Sequence, residues 1–190
     1  VDDRSEEGSK SYVFCLACSG QSLTMAASGP FPAGVGPSLA DLLLPQAIAP
    51  RARWHGRKQV LLEMSAMMAG ALGLDPRLVH EAVLERERLG PTGVGEGVAI
   101  PHARLDGLSR PVAGFARLAE PADFEAIDER PADLIIMLLA PTQGGADHLR
   151  ALARAARLLR QERIRGALRQ AQTAEAVLAI LAPGPATDAA

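Results

Sequence analysis

Cysteine is scarce in this chain of 190 residues: Cys15 and Cys18 are the only two, and together they form one CxxC. That excludes a fold held together by disulfides. A lone CxxC without a second ligand pair is a poor zinc site, and a redox CxxC should follow a strand and open a helix within a βαβ pattern, so the pair is assigned no chemistry. A surplus of charge is missing too. Twenty Lys and Arg against 22 Asp and Glu leave a formal charge of −2, which supplies no general attraction to nucleic acid or anionic lipid. Long apolar runs are absent: Leu134–Ala140 and the Ala/Leu-rich helical segments fall short of the roughly 18–20 residues that span a bilayer. No internal repeat is visible. What is present is ordinary globular material. Hydrophobic residues make up 48% and charged residues 22%, which excludes wholesale disorder. The length suits one domain with a real core. These features together predict a cytoplasmic α/β domain.

The first 37 residues read as a flexible extension. Val1–Lys10 is polar, and Gly29–Pro37 holds Pro30, Pro32, Pro37, Gly29, Gly34 and Gly36, too little apolar surface to offset the entropy of ordering. Asp2, Asp3, Glu6 and Glu7 precede the apolar patch Tyr12–Cys18, where a signal peptide would carry basic residues. Met25 is a plausible natural start. Pro183–Ala190 reads as a frayed tail, which leaves 38–182 as the folded unit.

Within it, Ser38 caps a short helix bearing Leu39, Leu42 and Leu43 and stopped by Pro45. Gly56–Leu72 carries Val60, Leu61, Met64, Met67, Met68 and Leu72 near helical spacing, closed by Gly73, with the methionines as core filler. Asp75-Pro76 opens a helix that runs to Gly90. Val98–Ile100, Val112–Leu118 and Leu134–Ala140 are apolar runs, the last bounded by Pro141, as expected of strands buried on both faces. After the Gly144-Gly145 turn, Leu149, Leu152, Ala153, Ala156 and Leu159 mark a helix, followed by shorter ones around Ala167–Leu168 and Ala174–Leu181. Helices first, strands in the middle and helices last predict an α/β fold with helices packed on both faces of a small mixed sheet. The arginines of Arg150–Arg165 are expected on a solvated face, with no nucleic-acid role.

Chemistry concentrates in TGVGEGVAIPHAR, Thr92–Arg104. Gly93, Gly95 and Gly97 could present N–H groups to an anion. They are not a nucleotide loop, because they precede a strand and lack the lysine-bearing order of a P-loop. Pro101 should stop the strand and present His102 at the sheet edge or its C-terminal rim. His148 follows Asp147 at the start of a helix, where free backbone donors and the dipole favour an anion. Arg86 and Arg88 lie nearby in sequence. His55 and His80 read as surface or half-buried residues without a site role.

Glu85–Arg104 (ERERLGPTGVGEGVAIPHAR) resembles the active-site signature of phosphotransferase-system enzyme IIA domains of the mannitol/fructose class, in particular their nitrogen-regulatory branch. SLADLLLPQAIAP, GLDPRLVHEAVLERERLG, FEAIDERPADLIIMLLAP and DHLRALARAARLL extend the likeness over nearly all of 38–182. The resemblance implies a mannitol-type IIA sandwich and a phosphohistidine carrier. His102, after the AIP strand, would accept the phosphoryl group, with His148 and Arg86 stabilising it. It implies a histidine phosphocarrier protein as donor and regulatory target proteins downstream, with a nitrogen or potassium output. No metal is expected, because the histidines lack paired carboxylates at ligand spacing, and neither a cofactor nor membrane insertion is expected.

Two departures stand out. Glu96 occupies a position where the branch often has asparagine, and Ala103 one where it often has glycine. A carboxylate near phosphohistidine would repel it, so Glu96 either points away or weakens retention. The partner surface should ring His102 and be apolar, with Val94, Val98, Ile100 and the Leu105–Leu108 loop as candidates, while Val98 and Ile100 are equally expected as core inside the strand. Competing readings are a regulatory binding module, a sugar-specific IIA component, and a metal-dependent hydrolase built on His102, His148 and Asp147.

Overall fold

The computed structural model describes residues 38–143 and 145–182. The expected extension over 1–37, with its CxxC and Met25, and the expected tail over 183–190 lie outside the described residues, as does Gly144 of the expected turn. The elements follow as α1 (Leu39–Leu42), β1 (Leu43–Ala52), α2 (Gly56–Leu72), α3 (Pro76–Arg88), β2 (Gly93–Gly95), β3 (Val98–Ala99), β4 (His102–Leu105), β5 (Val112–Ala122), β6 (Ala132–Pro141), α4 (Gly145–Leu159), α5 (Glu162–Gln170) and α6 (Ala174–Leu181).

Local chemistry sets most of these boundaries. The Ser38 hydroxyl accepts from the Asp41 N–H at 3.2 Å and the Asp41 carboxylate accepts from the Ser38 N–H at 2.6 Å, a reciprocal cap at the start of α1. α2 closes on Gly73 in the left-handed region, φ 68°. At the start of α3 the Asp75 carboxylate accepts from the Arg77 N–H at 2.8 Å, with Pro76 supplying the first helical φ.

The sheet runs β1-β5-β6-β3-β2, with β4 paired to β6 beyond β3. β1 is parallel to β5, β5 antiparallel to β6, and β3 and β4 are both parallel to β6. The mixed sheet is therefore as expected. β6 is its spine. Ile135, Met137 and Leu139 face α2 and α3, while Leu134, Ile136 and Leu138 face the layer of α1, α4, α5 and α6. All six are at most 1% exposed. An apolar run of this kind can be satisfied only by cover on both faces, since each such side chain gains about 1.5–3 kcal/mol on burial. Met64 and Met68 are fully buried in the α2 layer, as core filler should be.

Two elements differ from the sequence reading. Pro45 does not stop a helix; α1 ends at Leu42 and the chain continues as β1 through Pro45 and Pro50. β1 is a sheet edge, where a residue without an N–H leaves no ladder bond unmade. Pro101 likewise does not end the pairing beside β6. The ladder pauses there, with the Pro101 carbonyl accepting from Leu138 N–H at 2.9 Å, and resumes at His102 as β4.

Candidate functional site

His102 opens β4 in register with Leu138, and Arg104 follows in register with Ala140. Side chains alternate along a strand, so His102 and Arg104 share the face that Leu138 presents to the α4 layer, while Ala103 points into the opposite core. β2 pairs only with β3, which leaves β4 as a sheet edge. α3 packs against β4 and brings its last turn to that edge. α4 begins just after β6, and its first turn carries His148 toward the same place.

The two histidine rings lie 5.4 Å apart between centroids, tilted by 46°. Arg86 completes the cluster. Its Nε–H donates to His102 Nε2 at 2.9 Å, and its Nη1 donates to the Gly90 carbonyl at 3.1 Å. His102 Nδ1 lies 2.9 Å from the Ile100 carbonyl. These two contacts fix the tautomer. A carbonyl can only accept and a guanidinium can only donate, so Nδ1 carries the proton and Nε2 holds the lone pair. Sequence alone left open which nitrogen was free; the local fold answers it, because the Ile100 carbonyl lies against the ring two residues on.

Both rings are held neutral. Burial lowers the His102 pKa, the Ile100 hydrogen bond opposes this, and the Arg86 charge lowers it further. His148, 5% exposed, is pushed down to about 4, chiefly by burial and then by His102, Arg104 and Arg86. Its Nδ1 is buried with no hydrogen-bond partner among the described residues. The result is a half-buried imidazole with an oriented lone pair, a second neutral imidazole beside it, and a guanidinium on the lone pair itself. That arrangement suits a nucleophile that accepts an electrophile bringing negative charge.

The structure thus brings together His102, His148 and Arg86. Arg88 is exposed and bonds to neither histidine. His55 is at the surface with its Nδ1 3.0 Å from the Glu120 carboxylate, and His80 is half-buried in α3. Asp147 turns to Arg150 at 3.0 Å, and among the described residues no group of three His, Cys, Asp or Glu could hold a metal ion. The metal-hydrolase reading therefore lacks a ligand set there.

The glycine-rich segment has a structural role. Gly93 lies where an added Cβ would sit 2.7 Å from the Phe124 carbonyl oxygen, and its N–H donates to that oxygen at 3.2 Å. β2 and β3 form a hairpin whose two-residue turn, Glu96-Gly97, has φ of 56° and 77°, both in the left-handed region that such turns require. An added Cβ on Gly97 would lie 2.5 Å from an Arg169 nitrogen.

Glu96 points away from the histidines. Its carboxylate accepts from Arg130 at 3.1 Å and Arg165 at 3.2 Å, and its carbonyl from Arg169 at 3.0 Å. Four strand positions separate the Leu134 level, where the turn docks, from the Leu138 level of His102, about 13 Å. Arg165 was expected on a solvated face. It is instead 7% exposed, and donates to the carbonyls of Leu159 and Arg160 at the end of α4.

Of the apolar residues expected around the site, Val98 and Ile100 are buried core and Leu105 and Leu108 pack against it. Val94 is 50% exposed. Leu89 beside Gly90, which the sequence did not single out, is 81% exposed, and Leu149 beside His148, which the sequence marked only as an apolar helix position, is 63% exposed. Arg104 was also missed; its i,i+2 spacing from His102 on a strand was the available signal.

Residues 41–183 match the family described as phosphoenolpyruvate-dependent sugar phosphotransferase system, EIIA 2. The chain is 48% identical over 151 residues to a nitrogen regulatory protein of Bradyrhizobium diazoefficiens, covering 80% of this chain and 99% of that one. It is 42% identical over 133 residues to the fructose-specific EIIA component of the phosphotransferase system of Haloferax volcanii, covering 70% and 85%. The crystal structure of nitrogen regulatory protein IIA-Ntr from Neisseria meningitidis superposes with a TM-score of 0.71 at 34% identity, covering 75% of this chain and 98% of that one.

Proposed function

We propose, because this chain belongs to the EIIA 2 family of the phosphoenolpyruvate-dependent sugar phosphotransferase system, that it carries a phosphoryl group on His102 Nε2 and passes its phosphorylation state to regulatory targets. The observation that carries this reading is the forced tautomer: Nδ1–H on the Ile100 carbonyl and the lone pair on Nε2. The donor is a phosphohistidine on a small phosphocarrier protein. The Nε2 lone pair attacks phosphorus in line, the donor's N–P bond breaks, and the departing imidazole keeps that electron pair. No oxidant, metal or water is consumed. A neutral nucleophile is required, and the lowered pKa of His102 supplies one at neutral pH.

Arg86 has two partners in this cycle. At rest its Nε–H occupies the attacking lone pair, so the guanidinium must leave Nε2 before the new bond forms. It then donates to a phosphoryl oxygen, keeping Gly90 as its second contact. His148 is neutral and adjacent, and donates a hydrogen bond to another oxygen without adding a full charge that would trap the group. Phosphoryl transfer asks for this kind of alignment and charge dispersal. The exposed Leu89, beside the Gly90 that Arg86 holds, and Leu149, beside His148, make the apolar rim on which a donor excludes water. Such a relay runs in the cytoplasm; among the described residues no helix is long and apolar enough to cross a membrane.

A regulatory output, over transfer to a sugar-specific partner, is favoured by the nitrogen regulatory relative at 48% identity. The test is incubation of the full chain with phosphoenolpyruvate, enzyme I and phosphocarrier, followed by mass spectrometry at alkaline pH. One phosphoryl group on His102 is expected, and none in His102→Ala with its fold retained. Label persisting in that variant at the wild-type rate overturns the assignment. Transfer onward to a sugar-specific IIB protein would replace the regulatory output with a sugar pathway.

A further inference from the structure

Arg104 is the charged residue near the site that the carrier mechanism leaves without a task. It is exposed, and among the described residues it makes no hydrogen bond or ion pair. Its position is fixed from two directions. On β4 it lies two residues from His102, on the same face, so both side chains project toward α4. Its guanidinium reaches the first turn of α4: a Cβ on Gly145 would sit 3.6 Å from Arg104 Nη2. Gly145 and His148 are three residues apart on one helix and so share a face, with Cβ positions about 5–6 Å apart. Arg104 is also close enough for its charge to help hold His148 neutral.

The charge balance shows what is missing. A phosphoryl group on Nε2 brings close to two negative charges. Arg86 offers one positive charge from the α3 side, and His148 is neutral. The α4 side therefore has a cation with nothing to bind, beside a buried imidazole whose Nδ1 has no partner among the described residues. We propose that Arg104 is a second guanidinium ligand of the phosphoryl group, closing on its oxygens from the α4 side opposite Arg86 and so setting the equilibrium between this carrier and its donor. The inference rests on the phosphocarrier reading and adds to it. Transfer itself is unchanged: the N–P bond to the donor breaks, the bond to Nε2 forms, and Arg104 neither gives nor takes a proton. An exposed guanidinium on a flexible stem also suits reversibility, because it can withdraw when the group moves on.

The test uses the full chain as wild type, Arg104→Gln and Arg104→Lys, each equilibrated with the phosphorylated donor, with the phosphorylated fraction read by mass spectrometry at alkaline pH. Wild type labelled on His102 establishes the carrier reading; absence of that label would overturn both readings together. With the label present, Arg104→Gln should still be phosphorylated on His102 while its equilibrium constant falls about tenfold, the scale of one charge-assisted hydrogen bond. Arg104→Lys should recover part of that loss. In the phosphorylated protein, the 31P resonance of wild type should differ from that of Arg104→Gln. An equilibrium constant and 31P shift unchanged in Arg104→Gln overturn the proposal while leaving His102 as carrier. So does a variant that changes only the salt-dependent rate of transfer, which would make Arg104 a steering charge for the donor.

Discussion

Acidification is the perturbation that reads the paired histidines most directly. His148 has its pKa lowered from 6.5 to about 4 by burial and by His102, Arg104 and Arg86, and His102 is lowered in the same direction. A group whose folded pKa is depressed binds fewer protons folded than unfolded between the two values. Stability is therefore full above pH 6.5 and falls as the pH drops toward 4. For His148 the window spans two and a half pH units by those values, and at about 1.4 kcal/mol per unit the loss is about 3 kcal/mol. His102 adds to it with the same sign. The assay is urea unfolding of the full chain at closely spaced pH values from 7.5 to 4, followed by intrinsic fluorescence and far-UV circular dichroism. The comparison is His148→Asn, which keeps a polar side chain but cannot titrate. Carboxylates also titrate near the lower end of the range, and they do so in both proteins. The difference between the two curves isolates His148. It should open below pH 6.5 and widen to roughly 3 kcal/mol near pH 4. Parallel curves would refute the reasoning, because the imidazole would then have the same pKa folded and unfolded.

Four substitutions probe the rest of the site and its hairpin. Arg86→Gln removes a cation that disfavours the imidazolium, so the His102 pKa, read from its ring proton shifts by NMR, should rise; an unmoved titration would dissociate the two residues. His148→Ala should slow phosphorylation or shorten the lifetime of the phosphorylated form while leaving some label, and unchanged values of both would remove it from the site. Glu96→Gln removes the carboxylate charge from the buried Arg165 guanidinium without changing the preference of the turn, and should cost about 1–2 kcal/mol in chemical denaturation. The phosphorylated form should keep its wild-type lifetime, since about 13 Å separates the turn from His102. Gly93→Ala places a methyl 2.7 Å from the Phe124 oxygen and should destabilise by about 1–3 kcal/mol; a melting temperature equal to wild type would contradict that packing.

What could be read from sequence divides along physical lines. α2, α3 and β6 announce themselves because their signals are local: Gly73 and Asp75-Pro76 punctuate, and Leu134–Ala140 is an apolar run with no polar face. β1 was hidden because Pro45 reads as the stop of a helix, and only the strand's place at the sheet edge makes that proline harmless. The resumption of the ladder at His102 was hidden for a related reason, since pairing past a proline depends on what β6 offers on the other side. His102, His148 and Arg86 were named from motif likeness, and the fold brings all three together. Arg165 could not be found that way. Its burial depends on the end of α4 and on a hairpin turn 69 residues earlier in the chain, a contact no local pattern encodes.

His102 is stitched into the ladder beside the most deeply buried strand of the sheet. A backbone held there has nowhere to go when its side chain is modified. The two states of the proposed carrier are thus nearly the same object in outline and differ in electrical character at one spot. Any protein that tells them apart must read voltage and not shape, by acidic groups turned away or basic groups drawn in, and its discrimination should fade as the ionic strength is raised.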